Sequence, residues 1–473
     1  MKLSAPLYEA LLKYVEDGTM PYHMPGHKEG RIIPRKYIEN LAKIDLTEVP
    51  GTDNLHDPQG PILEAEKLAA KAFGAKMSFF LVNGTTCGIY AAMSAVLNDG
   101  DAVLIQRNSH KSVYNGLILT GATPVYLNPL MDYEDGIAMG VSIDELEGLL
   151  KDNKDIKAVL ITYPNYYGFC MDIKRIVDLV HKYNKILIVD EAHGAHFAFS
   201  DRLPLPASKA GADIVVESIH KTLPAFTQSS ILHVNTDRVD ADRLKFYLSL
   251  YQSTSPSYIL MTSIDLARDF MEREGKDRLD KCVNLSIDAR NKLNAIEGVK
   301  CIGDDVVGKY GINDYDTTKL PISIKGLGIS GSEAERILRE NFNIQMEMSD
   351  LYNILAIMTV ADDEKEFDKL VKSIEGLLKY KKNQEIRLIE YYPDVPEMKM
   401  KPSEAVKKPY TLLKIDDAVD SVSLDYVIPY PPGVPLVCPG EIIKKDMVQY
   451  IKLLYNIGIK IVGIDNLNIR VFK

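Results

Sequence analysis

The chain runs to 473 residues, with 46% apolar and 26% charged side chains and a formal net charge of −10. That is the profile of a globular protein long enough to bury a core unaided, and its acidity argues against a nucleic-acid partner. Five scattered cysteines without a CxxC spacing (Cys87, Cys170, Cys282, Cys301 and Cys438) exclude a disulfide framework and a zinc site, and no long apolar run marks a signal peptide or membrane span, so a cytoplasmic protein with no bound metal and no membrane contact is expected.

In chain order, an amphipathic stretch from Pro6 to Asp17 precedes a Pro/Gly/His-rich loop, Tyr22 to Lys28. Gly60-Pro61 opens a helix over Ile62–Phe73, proline suiting its first position. Short apolar runs then predict strands at Ser78–Val82, Ala102–Ile105, Pro124–Leu127, Ala158–Thr162, Ile186–Val189 and Ile214–Glu217, with helices at Ile143–Leu150 and Ile173–Tyr183 between some of them. Strands apolar on both sides and joined by helices imply a mostly parallel sheet covered on both faces, an α/β fold. Further on come a strand at Lys319–Ile324, a helix at Glu333–Asn341, a strand at Tyr352–Thr359 and a helix at Asp363–Leu378. A linker through Pro393, Pro396 and Pro402 leads to a smaller α+β C-terminal region with a helix at Lys445–Ile457. The expected division is an N-terminal segment 1–50, a large domain 51–290, a small α/β domain 291–385 and a C-terminal domain 386–473.

Four polar groups stand just past the ends of these strands. The turn Asn83-Gly84-Thr85-Thr86-Cys87-Gly88 opens an apolar helix; its backbone amides and hydroxyls suit a phosphate, or else form an ordinary capped turn. His110 follows Ala102–Ile105 and either stacks on a planar ring or caps a turn. Asp190 and His193 follow Ile186–Val189, the carboxylate able to hold a metal or keep a cofactor nitrogen protonated, or simply to cap a helix. Ser218, His220 and Lys221 follow Ile214–Glu217, where partial desolvation would make the lysine an amine nucleophile. Phosphate turn, imidazole, carboxylate and lysine together match what pyridoxal 5'-phosphate (PLP) needs from a protein.

The chain also resembles the ornithine/lysine/arginine decarboxylase family of fold-type-I, aminotransferase-like PLP enzymes. The resemblance lies in HMPGHK at 23–28, GTDNLHDPQGPI at 51–62, NGTTCG at 83–88, RNSHKS at 107–112 and DEAHGAH at 190–196. It continues in SIHKTLPAFTQSS at 218–230, STSPSY at 253–258 and PYPPGVPLVCPGE at 429–441, in the manner of the shorter bacterial members that lack an N-terminal wing domain. It implies that Lys221 is the Schiff-base lysine, that Asp190 pairs with the pyridine nitrogen and that His110 stacks on the ring. Gly84, Thr85, Thr86, Ser218 and His220 would hold or border the phosphate, His220 also handling a proton, and His193 would lie by the phenolic oxygen. Glu441 is expected at the substrate's distal cationic end. A homodimer or larger assembly is implied, with the 253–258 segment approaching the partner's site. The expected reaction is decarboxylation of a small cationic amino acid, arginine favoured over lysine or ornithine.

Two rivals follow from the residues. An aminotransferase or aldol-type lyase shares the lysine and aspartate, although transamination normally needs a late arginine, and Arg470 is the one arginine after Arg387. Gly326-Leu327-Gly328-Ile329-Ser330-Gly331, with Glu347 further on, mimics a dinucleotide fingerprint and would suit an NAD-dependent oxidoreductase.

Overall fold

The computed structural model describes residues 5–384, 386, 393–430, 435–456 and 458–472. Arg387 and residues 431–434 of the proline-rich motif lie outside them.

A seven-stranded sheet organises the large region, in the order Met77–Leu81, Ser230–Val234, Ile214–Glu217, Ile186–Asp190, Ile156–Thr162, Ala102–Gln106, Thr123–Leu127. Side chains alternate across it. Val159, Ile161, Leu187, Val189 and Val215 enter the core on one face. Ala158, Leu160, Ile188, Ile214 and Val216 enter the core on the other. Burial on both faces is why these strands read as unbroken apolar runs.

Six strands are parallel, as expected; Ser230–Val234 runs against both of its neighbours. The connection from Ile214–Glu217 holds only the one-turn helix Ile219–Thr222, too short to carry the chain back over the sheet for a parallel return. The chain therefore reverses there, and Lys221 sits in that reversal.

The expected helix near the start forms at Pro6–Glu16 but buries none of its residues, leaving Leu7, Leu11 and Val15 exposed. Strand Met20–Tyr22 then pairs in parallel with Ile344–Met346, far along the chain, and Tyr22 joins the core of the second sheet. That sheet runs Lys300–Cys301, Lys319–Ser323, Asn353–Ile357, Met348–Ser349, antiparallel throughout. A further core, with Ile415, Val437, Ile451 and Val471, forms the C-terminal unit around helix Lys445–Asn456.

The dinucleotide reading fails here. The glycine string leaves an antiparallel sheet rather than a parallel βαβ unit. Its glycines are already filled by the protein's own backbone. A Cβ at Gly326 would lie 2.7 Å from the Gly298 backbone, one at Gly328 2.4 Å from the Lys382 carbonyl oxygen, and one at Gly331 2.2 Å from that of Asn353. No room is left for a pyrophosphate, and Ser330 accepts from the Glu333 amide as a helix cap.

Candidate active site

The polar strand ends converge on one open cavity of about 450 Å³. Gly84, with φ 74°, turns the chain into helix Gly84–Val96. Asn83 makes no capping hydrogen bond, so the helix start is not closed by its own side chain. Thr85 Oγ1 contacts Ser218 Oγ and donates to Ser230 Oγ at 3.1 Å, a cluster of three hydroxyls at a helix N-terminus. Gly88 lets the helix approach the sheet, for a Cβ there would lie 2.6 Å from both Leu81 and Val216 side chains.

Lys221 Nζ lies 3.1 Å from His193 Nε2. Burial pushes the lysine's pKa down, opposed by the carboxylates of Asp190 and Glu347. Burial, reinforced by Lys221 and Lys319, holds His193 well below the ordinary imidazole range, so it is neutral and accepts from the amine. The proton then rests on Nδ1, which is buried without a hydrogen-bond partner among the described residues. Tyr166 packs against the same ring, centroids 4.7 Å apart.

Asp190 is buried at the end of its strand, accepting from the Ala192 amide at 3.2 Å. His110 caps helix Lys111–Thr120: its Nδ1 accepts from the Ser112 amide at 3.2 Å, which leaves Nε2 as the protonated nitrogen. The cap and the cavity position are compatible, for His110 also lines the cavity. His220 donates through Nδ1 to the Ser229 carbonyl at 2.9 Å, and burial lowers its pKa to about 4. Thr86 lines the cavity too.

The HMPGHK loop closes over the lysine's turn. The Gly26 amide donates to the His220 carbonyl at 2.8 Å, and a Cβ at Gly26 would lie 2.7 Å from Leu223 O. Lys28, wholly buried, donates to the His23 and Ile357 carbonyls at 2.9 and 2.8 Å.

Glu441 is not brought into the cavity. It is buried, and both its carboxylate oxygens are taken by Arg107, which itself lines the cavity. The guanidinium already neutralises its charge and it does not line the cavity, so the structure does not place Glu441 at a substrate's distal cation as expected. Sequence reasoning also missed Tyr166, Tyr167 and Asp350 on the cavity wall, and Lys319 behind it. The signal for the tyrosines was available: Asn165-Tyr166-Tyr167-Gly168 follows the end of strand Ile156–Thr162, the same edge that carries Gly84, His110, Asp190 and Lys221.

The signature of the Orn/Lys/Arg decarboxylase major domain matches residues 5–366, and that of its C-terminal domain residues 386–466. The chain belongs to the Orn/Lys/Arg decarboxylase family. It is 37% identical over 475 residues to an arginine decarboxylase of Bacillus subtilis (strain 168), covering 99% of this chain and 97% of that protein. An ornithine decarboxylase of Haemophilus influenzae is 26% identical, over 93% of this chain and 79% of its own. Among solved structures, lysine decarboxylase A from Pseudomonas aeruginosa superposes with a TM-score of 0.80 at 22% identity, covering 99% of this chain and 80% of that one. As a family member the chain is an amino-acid decarboxylase of α/β, fold-type-I architecture. Among the described residues, no helix is long and apolar enough to cross a membrane.

Proposed function

We propose that this decarboxylase uses PLP and acts on a basic amino acid, arginine first, in the cytoplasm. The observation that carries the reading is the Lys221 amine, 3.1 Å from His193 Nε2, in one cavity with Asp190, His110 and the Thr85 and Ser218 hydroxyls. The orphaned His193 Nδ1 and the uncapped hydroxyl-rich helix start fit a ligand bearing an oxygen acceptor and a phosphate. Arginine is preferred because relatives 37% identical along the whole chain carry that name.

When bound, PLP supplies an aldehyde for amines and a cationic ring that accepts the electrons left behind as CO2 departs. The chain's residues do the rest. Asp190 would hold a proton on the ring nitrogen. Thr85, Ser218 and the amides opening helix Gly84–Val96 would hold the phosphate. Lys221, its pKa lowered by burial, would supply the amine that meets the aldehyde. His193 would orient that amine, and His110 would border the ring.

The transaminase rival loses its support. Arg470 pairs with Asp425, and the cavity-lining Arg107 is engaged by Glu441, so neither is free for an α-carboxylate. A homodimer is part of the proposal, since the apolar residues exposed on helix Pro6–Glu16 need cover. The test is to saturate purified protein with PLP, record the visible absorbance of the lysine-bound cofactor, and measure CO2 and amine from arginine, lysine and ornithine. Absent absorbance, or a keto acid in place of CO2 and amine, refutes the reading.

A further inference from the structure

The fixed charges lining the cavity can be paired off one by one. Arg107 is neutralised by Glu441. Asp190 is committed to the cofactor nitrogen and Lys221 to the aldehyde, on the reading above. One further carboxylate lines the cavity among the described residues, that of Asp350.

Asp350 is held only by neutral donors. Its Oδ1 accepts from the Tyr352 and Asn353 amides at 2.8 and 2.7 Å. Its Oδ2 accepts from the Tyr167 hydroxyl and from Asn353 Nδ2, the latter at 3.1 Å. No lysine, arginine or histidine pairs with it among the described residues. A half-buried carboxylate fixed by four hydrogen bonds but lacking a counter-ion presents an unmatched negative charge to the cavity, which a cation arriving from outside would meet. The wall around it is aromatic: Tyr133, Tyr166, Tyr167 and Tyr352 all line the same cavity. Rings of this kind attract a guanidinium or ammonium on their faces. Gly136 lets the Tyr352 ring come close, since a Cβ there would lie 2.6 Å from it.

We infer that Asp350, with the tyrosines beside it, reads the distal cation of the substrate, a guanidinium or ammonium group, and so sets the preference for basic over neutral side chains. This role, which the sequence reading gave to Glu441, rests on the proposed decarboxylation of a basic amino acid. The site needs no movement of its carboxyl. The four donors hold it in place before substrate enters, which limits the ordering cost of binding.

The test compares arginine with citrulline, whose urea group has the guanidinium's shape without its charge, in holoenzyme of the wild type, Asp350→Asn and Glu347→Gln. Glu347 is the rival acid, accepting from the Tyr166 hydroxyl at 2.5 Å and the Met24 amide at 3.0 Å. The Asn variant keeps an acceptor oxygen for the two backbone amides. It is expected to raise KM for arginine by about tenfold or more, and to lower the arginine-to-citrulline ratio of kcat/KM by as much, with the cofactor's absorbance unchanged. An unchanged ratio in a variant that keeps that absorbance overturns the inference, as does loss of the ratio in Glu347→Gln alone. Failure of the wild type to show absorbance or release CO2 is a different result, and refutes the reading on which the inference rests. Should Asp350→Asn not fold, Tyr167→Phe removes one donor and leaves the carboxyl. The acid limb of log kcat/KM for arginine should then move to higher pH, and an unmoved limb overturns the inference.

Discussion

Arg107 and Glu441, 334 residues apart in sequence, meet as a buried bidentate pair with nitrogen–oxygen distances of 2.6 and 2.8 Å. The guanidinium also donates to the Leu436 carbonyl at 3.0 Å and lies 4.5 Å from the centre of the Tyr126 ring. Glu441 in turn accepts from the Cys438 amide at 2.8 Å. The pair fastens the C-terminal unit to the turn that carries His110. Glu441→Ala leaves the guanidinium buried without a counter-charge, which costs about 3–5 kcal/mol. The urea midpoint of unfolding should fall accordingly, and an unmoved midpoint refutes the assignment.

Lys221→Ala should abolish turnover and the visible absorbance of the lysine-bound cofactor together, while circular dichroism stays native. Retention of either signal would remove Lys221 from its role.

Thr85→Val deletes one hydroxyl from the Thr85–Ser218–Ser230 cluster without changing side-chain size. A hydrogen bond to a charged group is worth about 1.5–3 kcal/mol, so PLP should bind roughly tenfold to a hundredfold more weakly. Titration of the apoprotein followed by absorbance measures this, and an unaltered affinity places the phosphate elsewhere.

Lys319 is wholly buried, and burial lowers its pKa to about 8 from an ordinary 10.5. Its amine donates to the Tyr166 carbonyl at 2.8 Å. Between those two values the unfolded chain holds a proton that the folded protein has shed. Stability from this group therefore climbs as pH rises through that window, by on the order of 3 kcal/mol. Lys28 and Lys221, also lowered by burial, carry the same sign. The quantity to read is thus the wild-type change in unfolding free energy across that window minus that of Lys319→Met, and a zero difference contradicts the account.

The sheet was legible because a strand buried on both faces leaves a continuous apolar run, as Ala158 to Ile161 does. The helix Ile173–Lys182 was legible from its 3.6-residue period, with Ile173, Ile176, Val177 and Val180 buried on one side. Asp190, His193 and Lys221 could be read because each follows such a strand. The strand Ser230–Val234 was not among those expected, and an apolar pattern carries no sense of strand direction in any case. Glu441 was misplaced because nothing local betrays a partner as remote as Arg107. Asp350 escaped notice because its neighbours in sequence mark only a turn, and its place on the cavity wall comes from tertiary packing. Lys319 entered the sequence analysis only as the first residue of an expected strand, and nothing local marked its burial.

The parallel pairing of Met20–Tyr22 with Ile344–Met346 has a bearing on biosynthesis. As the polypeptide leaves the ribosome, the opening strand has no mate until residue 344 has been made. The loop that follows it, which roofs the lysine's turn through Gly26, is anchored by Thr359, which donates to the Gly26 carbonyl at 2.9 Å. This early stretch is thus unable to take its final place until the chain through Met346 exists. A nascent fragment ending just after Val234 would carry every strand of the large sheet and still leave its amine unroofed.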